Sequence, residues 1–556
     1  MFGIFQLFSI SVIFWSIVSA LRFIFETLHA PWKKPGADTY AHFFMAGVGG
    51  VALTAGLFFL FLFEFDFVSS VYTGIADAIV FPAMALWFLS VSFGAYIAAR
   101  LYTVATYSIS LSVGLGAAAG GVVLLFNTEA GRIFIASQGT ETWVGWGVLS
   151  VGTALLGSYL ARGVNIFEER KEAAREGIAK LARIRPEEVA VVIAAHNEEL
   201  TIGETIESLL QITTPDHIYI ASDGSKDKTV EIVRSYGCNV EDIQPNRGKA
   251  GALVYMLRKN DLTNRYKAVF FMDADIKVHD KIYQFKLPYF DDPRVIAVSA
   301  YFATPWPRHF IPRRELLITA YRIRLWRVLQ FFVRYGQTWK YANMSPIVPG
   351  GASIYRSTAL KQIQIDTPGL VIEDFNMTFQ IHHKKLGLII FEPRALVFDQ
   401  EPYTIKDFVS QIKRWYLGYF QTMRHHGIWP SFFCFFTYFF TFELIISSIL
   451  FIFTPFLLLE LILSGKEYLF LNLILFGYPV TVLNILISVL VLDYLITIAV
   501  AIIERKPILL LYGLAFYPIR YIEAVVFLSM LPMTFIRRSD GRWKSPARKT
   551  FEALGQ

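Results

Sequence analysis

Apolar and polar positions change texture twice along this chain. Up to about residue 165 the apolar runs approach the ~20 residues needed to span a bilayer, with candidate crossings at 4–27, 42–63, 78–99, 104–126 and 143–162. The runs then shorten. Val189–Ile193, His217–Ile220 and Ala268–Met272 read as buried strands, because a strand covered on both faces need not alternate. Helical spacing separates them at 201–211 (Ile202, Ile206, Leu209, Leu210), 226–236 and Lys249–Arg258, with a short strand at 237–242. Strands alternating with helices predict a parallel, doubly wound α/β sheet. Three of the strands run into polar residues: His196-Asn197-Glu198-Glu199, Asp223-Gly224-Ser225 and Asp273-Ala274-Asp275. Residues 311–335 are helical in period and rich in arginine (Arg313, Arg314, Arg322, Arg324, Arg327, Arg334). They suit either an amphipathic helix on lipid headgroups or a wall of a substrate site. From about 430 long apolar runs return, with one crossing in 431–460 and another within 468–503.

This pattern divides the chain into an N-terminal transmembrane block of about five helices (1–165), a soluble domain with interface helices (166–428), a C-terminal transmembrane or interfacial block (429–536) and a basic tail (537–556). The first apolar run lacks a positive leading segment, so a retained helix is expected rather than a cleaved signal peptide. Placing basic loops inside sets the N-terminus out and the middle domain in the cytosol of an integral, plasma-membrane protein. A single span over 507–536 would break that charge rule. The segment is therefore expected to be interfacial, re-entrant or a short helical pair interrupted near Pro518. Gly116 and Gly120 in the fourth candidate form a small-residue face for close helix packing.

Composition agrees with this division. Of 556 residues, 54% are hydrophobic and 16% aromatic, too apolar for an ordinary soluble protein. The net charge of +7 is accounted for by positive-inside bias and contact with anionic lipids, and no compact basic tract points to nucleic acid. Cys238 and Cys434 fall in different blocks, which argues against a disulfide framework. No fixed-period repeat or low-complexity segment occurs.

Candidate chemistry gathers at four places. Asp273 and Asp275 end an apolar strand one residue apart, so a period of 2 sends both to one side. Two hard anionic donors there suit Mg²⁺ or Mn²⁺ bridging to a substrate diphosphate, and a solvated turn is the plain alternative. Asp223 ends a second strand, at the edge where ligands bind in open α/β sheets. Glu373 and Asp374 begin a helix after Leu370-Val371-Ile372. Gln411, Arg414 and Trp415 begin another and share one turn, so they can face one site: arginine suits phosphate and an indole suits a sugar face. A membrane-interface helix would carry the same residues. Pro349-Gly350-Gly351-Ala352-Ser353 is a tight turn able to bring backbone close to a ligand. His382-His383-Lys384-Lys385 reads as a solvated helix face rather than a metal site.

In this order and spacing the motifs resemble those of membrane-integrated family 2 glycosyltransferases with a GT-A fold. The similarity is to the processive branch that includes cellulose, hyaluronan, chitin and poly-N-acetylglucosamine synthases, and it spans roughly 187–425. The resemblance implies an α/β GT-A-like doubly wound domain inserted between N- and C-terminal helical transmembrane blocks. It also implies that Asp223 contacts the nucleotide, that Asp273 and Asp275 hold nucleotide and metal, and that Asp374, beside Glu373, is the catalytic base. Gln411, Arg414 and Trp415 would embrace diphosphate and acceptor sugar. Asn246-Arg247-Gly248-Lys249-Ala250-Gly251-Ala252-Leu253 is similar to the family's Lys-containing element, placing Lys249 near the nucleotide, and 542–548 to its basic, Trp-containing tail. Three positions depart from the family pattern: Ala194, Val254 and Ile372. The implied activity is inverting transfer from a nucleotide sugar, a UDP-sugar, to a growing glycan, or to a lipid-linked acceptor without processivity. A transporter whose cytosolic domain only binds nucleotide is the reading from another class.

Overall fold

The computed structural model describes residues 184–306, 313–464, 469–475, 478–481, 493–494 and 496–536, together with residues 11, 14, 15, 18, 19 and 22. The second to fifth predicted crossings, most of the 165–185 linker and the 537–556 tail lie outside these. The described residues divide into two units, with residues 461–481 in the second and the rest in the first.

The first unit is built on an eight-stranded sheet of order β3-β2-β1-β4-β7-β6-β8-β5. Its first half follows the alternating pattern. Strands β1 (Val189–Ala195), β2 (Ile218–Asp223), β3 (Asn239–Ile243) and β4 (Ala268–Asp273) run parallel. Helices α1 (Ile202–Leu209), α2 (Thr229–Ser235) and α3 (Gly248–Lys259) connect them. β1 and β4 are buried on both faces, as their unbroken apolar runs require. Ala195 lies opposite Ser222, and Ala194 opposite Asp273, so the three polar strand ends share one edge of the sheet.

The second half corrects the expectation of an all-parallel sheet. β7 (Ala352–Arg356) runs antiparallel to both β4 and β6 (Val295–Ala303). β8 (Leu388–Asp399) is parallel to β6, and β5 (Ile276–Val278) is antiparallel to β8. Apolar period reports burial and is silent on strand direction. The reversal matters for the site. Met272 pairs with Ala352, so the turn before β7 arrives beside Asp273, whose N–H donates to the Gly351 carbonyl at 3.0 Å. Ile276 pairs with Asp399, which returns the end of β8 to the same edge.

Two apolar cores cover the faces of the sheet, and a third, all-helical core adjoins them. That helical core is made by α4 (Arg313–Arg327), α6 (Ile405–His426), α7 (Phe432–Ser464), α8 (Ile508–Gly513) and α9 (Phe516–Ile536). Helix α5 (Glu373–His383) joins the two regions: Met377 and Ile381 enter a sheet core, while Phe375 and Phe379 enter the helical one. Trp15, from the first predicted crossing, packs on Phe436 of α7 at 5.4 Å between rings.

Three further expectations become more definite in detail. α6 begins at Ile405, six residues before Gln411, because Thr404 caps it by accepting from the Asp407 N–H at 3.1 Å. The 507–536 segment is a helical pair, as expected, and its break falls at Leu514-Ala515, three residues before Pro518. Pro518 sits in the first turn of α9, where its missing N–H costs nothing. α7 and α9 are long and apolar enough to cross a bilayer. In the second unit, β9 (Leu469–Leu475) and β10 (Tyr478–Thr481) form an antiparallel hairpin, which leaves 482–503 for the crossing expected within 468–503, and 482–492 lie outside the described residues.

Candidate active site

The strand ends line one cavity of about 960 Å³. Asp223 is almost fully buried and accepts from the Arg247 N–H at 2.7 Å. Its own carbonyl accepts from Asn246 Nδ2 at 2.8 Å and meets His196 Nδ1 at 2.7 Å. Burial raises the Asp223 carboxyl above its ordinary value despite those backbone donors. Gly224, at φ +72°, supplies the left-handed residue that turns the chain away after Asp223.

Lys249, from the first turn of α3, ties two motifs together. Its ammonium lies 2.7 Å from Asp273 Oδ1 and 2.8 Å from Glu373 Oε1. Burial would lower its pKa, but the two carboxylates outweigh that and hold it well above the ordinary range. Asp374 accepts from the Gly350 N–H at 3.2 Å through Oδ2 and from the Phe375 N–H at 2.7 Å through Oδ1. Burial first, then the neighbouring Glu373, push its carboxyl up to about 7. The Pro349–Gly351 turn fits closely between these groups. A Cβ on Gly351 would lie 2.8 Å from Ile276 Cδ1 and 2.9 Å from Asp273 Oδ2. Ile372, where the family pattern has threonine, packs on α6 at Gly418, whose missing side chain admits it.

Asp273 and Asp275 both line the cavity. Among the described residues no group of three or more His, Cys, Asp or Glu side chains could hold a metal alone. Two hard carboxylates, one already facing Lys249, therefore fit a divalent cation that completes its shell with a diphosphate rather than with protein.

The opposite wall is helical. Gln411, Arg414 and Trp415 of α6 all line the cavity, facing a wall made by Arg322, Leu325 and Trp326 of α4 and by Leu329, Val333 and Arg334 beyond it. Part of the arginine-rich segment thus forms a wall of this cavity. Arg322 and Arg324 are buried, and Arg324 and Arg327 pair with Asp493 and Glu504 rather than projecting to headgroups. Residues Val328–Arg334 wind as a π-helix, a geometry frequent at functional sites. Sequence reasoning missed Trp326 and Glu401. Glu401 had a signal: it follows the apolar end of β8 in Asp399-Gln400-Glu401, as the acids follow β4. His382 is half-buried, stacked on Phe433 at 4.0 Å and bonded to the Ser345 carbonyl, so the solvated face begins only at His383. Both cysteines are buried and free.

A strand edge carrying acids beside a helical wall of arginine and tryptophan is the arrangement that the resemblance to GT-A glycosyltransferases implies. Comparison with known proteins makes this specific. The chain matches the model for glycosyl transferase family 2 over residues 190–363 and that for glycosyl transferase family group 2 over 318–536. It is 26% identical over 404 residues to a poly-β-1,6-N-acetyl-D-glucosamine synthase of Staphylococcus epidermidis, covering 69% of this chain and 92% of that protein. It is 27% identical over 309 residues to the probable glycosyltransferase YdaM of Bacillus subtilis, covering 51% and 70%. Among solved structures it is similar to the mannosyltransferase PcManGT of Pyrobaculum calidifontis, with a TM-score of 0.39, 15% identity and coverage of 63% and 87%. The chain carries a family 2 glycosyltransferase domain and is an enzyme.

Proposed function

We propose that this enzyme builds a β-linked polysaccharide from a UDP-sugar at the cytosolic face of the plasma membrane and passes it out between its own helices. The observation that carries the reading is that Asp223, Asp273, Asp275, Asp374, Gln411, Arg414 and Trp415 line one cavity, which extends to Phe440 of α7 and Met530 and Met533 of α9. The similarity to a β-1,6-linked polymer synthase supports the product class. α7 and α9 support a membrane setting.

The chemistry follows from the side chains. Asp223 and Lys249 hold the nucleotide end of the donor. Asp273 and Asp275 would hold Mg²⁺ or Mn²⁺, which neutralises charge on the departing diphosphate. Arg414 meets the same phosphate oxygens. Trp415 offers its ring to the acceptor sugar, and Gln411 a hydrogen bond. Asp374, kept basic enough by its raised pKa, takes the proton from the attacking hydroxyl. Base and leaving group lie on opposite faces of the sugar, so configuration inverts and an α-linked donor yields a β-linked product.

A second reading shares every aspartate: one sugar is transferred to a lipid-linked acceptor. The apolar end of the cavity, at Phe440, Met530 and Met533, favours it as a seat for an acyl or prenyl chain. Purified enzyme, screened with radiolabelled nucleotide sugars and analysed for product size and anomeric configuration, separates them. The expected product is a β-linked polymer from a UDP-sugar. A product of one added sugar selects the lipid acceptor, and an α-linkage refutes the mechanism.

A further inference from the structure

The Gln411–Trp415 motif is held in place from outside α6. Arg322 of α4 is 0% exposed, and its Nη2 donates to Gln411 Oε1. The guanidinium centre lies 4.8 Å from the Trp415 ring and 5.5 Å from the Trp326 ring. The two indoles are 5.9 Å apart at 55°. Glu401, at the end of β8, completes the set: Oε2 is 3.3 Å from Arg322 Nε, and Oε1 accepts from Trp326 Nε1. One buried arginine and one buried glutamate thus fix three side chains that line the cavity: Gln411, Trp415 and Trp326.

This pair is poorly explained as a stabilising ion pair. Burying two charges costs several kcal/mol, and an apolar pair of similar volume is often as stable. The hydrogen bonding is also incomplete, since Arg322 Nε and Nη1 and Glu401 Oε2 have no hydrogen-bond partner among the described residues. Directional constraint is what the arrangement does supply. A planar guanidinium can stack on an indole and bond an amide in its own plane at once, which an ammonium cannot. An indole meant to receive a sugar ring must be held at one tilt, because loss of position by about 1 Å is costly in transfer.

We propose that Arg322 and Glu401 are positioning residues for the acceptor-facing wall, setting the orientation of Trp415, Gln411 and Trp326. The proposal rests on the reading that the acceptor sugar meets Trp415. It predicts a defect confined to capture of the acceptor, with donor binding and activation little changed.

Donor turnover by the full-length enzyme separates the two, because activated donor not captured by the acceptor is lost to water. The assay measures, from radiolabelled nucleotide sugar, the ratio of sugar transferred to sugar hydrolysed, product length and donor KM. Arg322→Lys keeps the charge opposite Glu401 and so preserves the fold. It is expected to lower the transfer-to-hydrolysis ratio about tenfold and shorten the product, with donor KM within about twofold of wild type. Added to Trp415→Ala, it is expected to reduce the ratio less than about twofold further, because both act through one platform. Glu401→Gln is expected to move the ratio in the same direction. Losses that multiply in the double variant, an unchanged ratio, or a rise in donor KM matching the loss of transfer would each overturn the positioning role. A wild-type enzyme that turns over no nucleotide sugar would instead overturn the functional reading beneath it.

Discussion

Replacing Asp374 by asparagine tests the mechanism at its centre. The side chain keeps its shape and loses its charge. In the native protein Asp374 accepts from two backbone N–H groups, of Gly350 and Phe375. An amide has one oxygen, so either orientation leaves one N–H facing an NH₂, at about 1–3 kcal/mol. Against this stands a relief. Burial and Glu373 push the carboxyl from its ordinary value of 3.8 to about 7, so holding it charged costs roughly 4 kcal/mol at about 1.4 kcal/mol per pH unit. The two effects are of similar size, and the variant should fold and melt within a few degrees of wild type. Turnover should fall by about 10²–10⁴, the usual contribution of a general base. The assay pairs UDP release from a UDP-sugar with calorimetric titration of UDP. Nucleotide affinity should stay within about threefold, because the expected nucleotide contacts are Asp223, Lys249 and Asp273. Turnover within tenfold of wild type, or loss of UDP binding in a folded variant, would refute the assignment of Asp374 as base.

The division between what the sequence discloses and what it hides is physical. The acids at the ends of β2 and β4 and at the start of α5 are legible because each follows an apolar run directly, a local signal. That they share a cavity follows from parallel pairing with matched strand ends, which alternating strands and helices imply. The antiparallel half of the sheet is not legible, since β6, β7 and β8 are buried whichever way they run. With it went the approach of Gly350 and Gly351 to Asp273 and Asp374. The partnership of Arg322, Glu401 and Trp415 was also hidden. Each lies on a different element, and an arginine-rich helical period reads equally as a headgroup-facing stripe or a buried wall. Only the packing of α4 against α6 decides between them. The break in 507–536 was legible from Pro518, because a proline that takes the first turn of a helix marks a boundary just before it, here at Leu514-Ala515.

Four other outcomes are expected. Turnover should rise with pH through about 7 and level off above it, because the base must lose its proton; a flat profile across that range would refute the raised Asp374 pKa. Between the ordinary carboxyl value and about 7 the native state holds the extra proton, so the contribution of Asp374 to stability should fall as pH rises, which melting curves across that window can check. Chelation should abolish transfer, Mg²⁺ or Mn²⁺ should restore it, and Asp275→Ala should prevent the restoration; full activity in chelator would exclude a metal. The last concerns Gly351→Ala, which adds one methyl group 2.8 Å from Ile276 Cδ1 and 2.9 Å from Asp273 Oδ2. The Ile276 methyl can move, but Asp273 is tied to Lys249 at 2.7 Å and, through it, to Glu373. The strain must either push that network or open the turn that donates to Asp374. Overpacking of this kind costs about 1–3 kcal/mol, a melting shift of a few degrees, whereas displacing Asp273 should cost more than about tenfold in turnover. A variant with lowered stability and undiminished turnover would mean that the close approach of this loop serves packing alone.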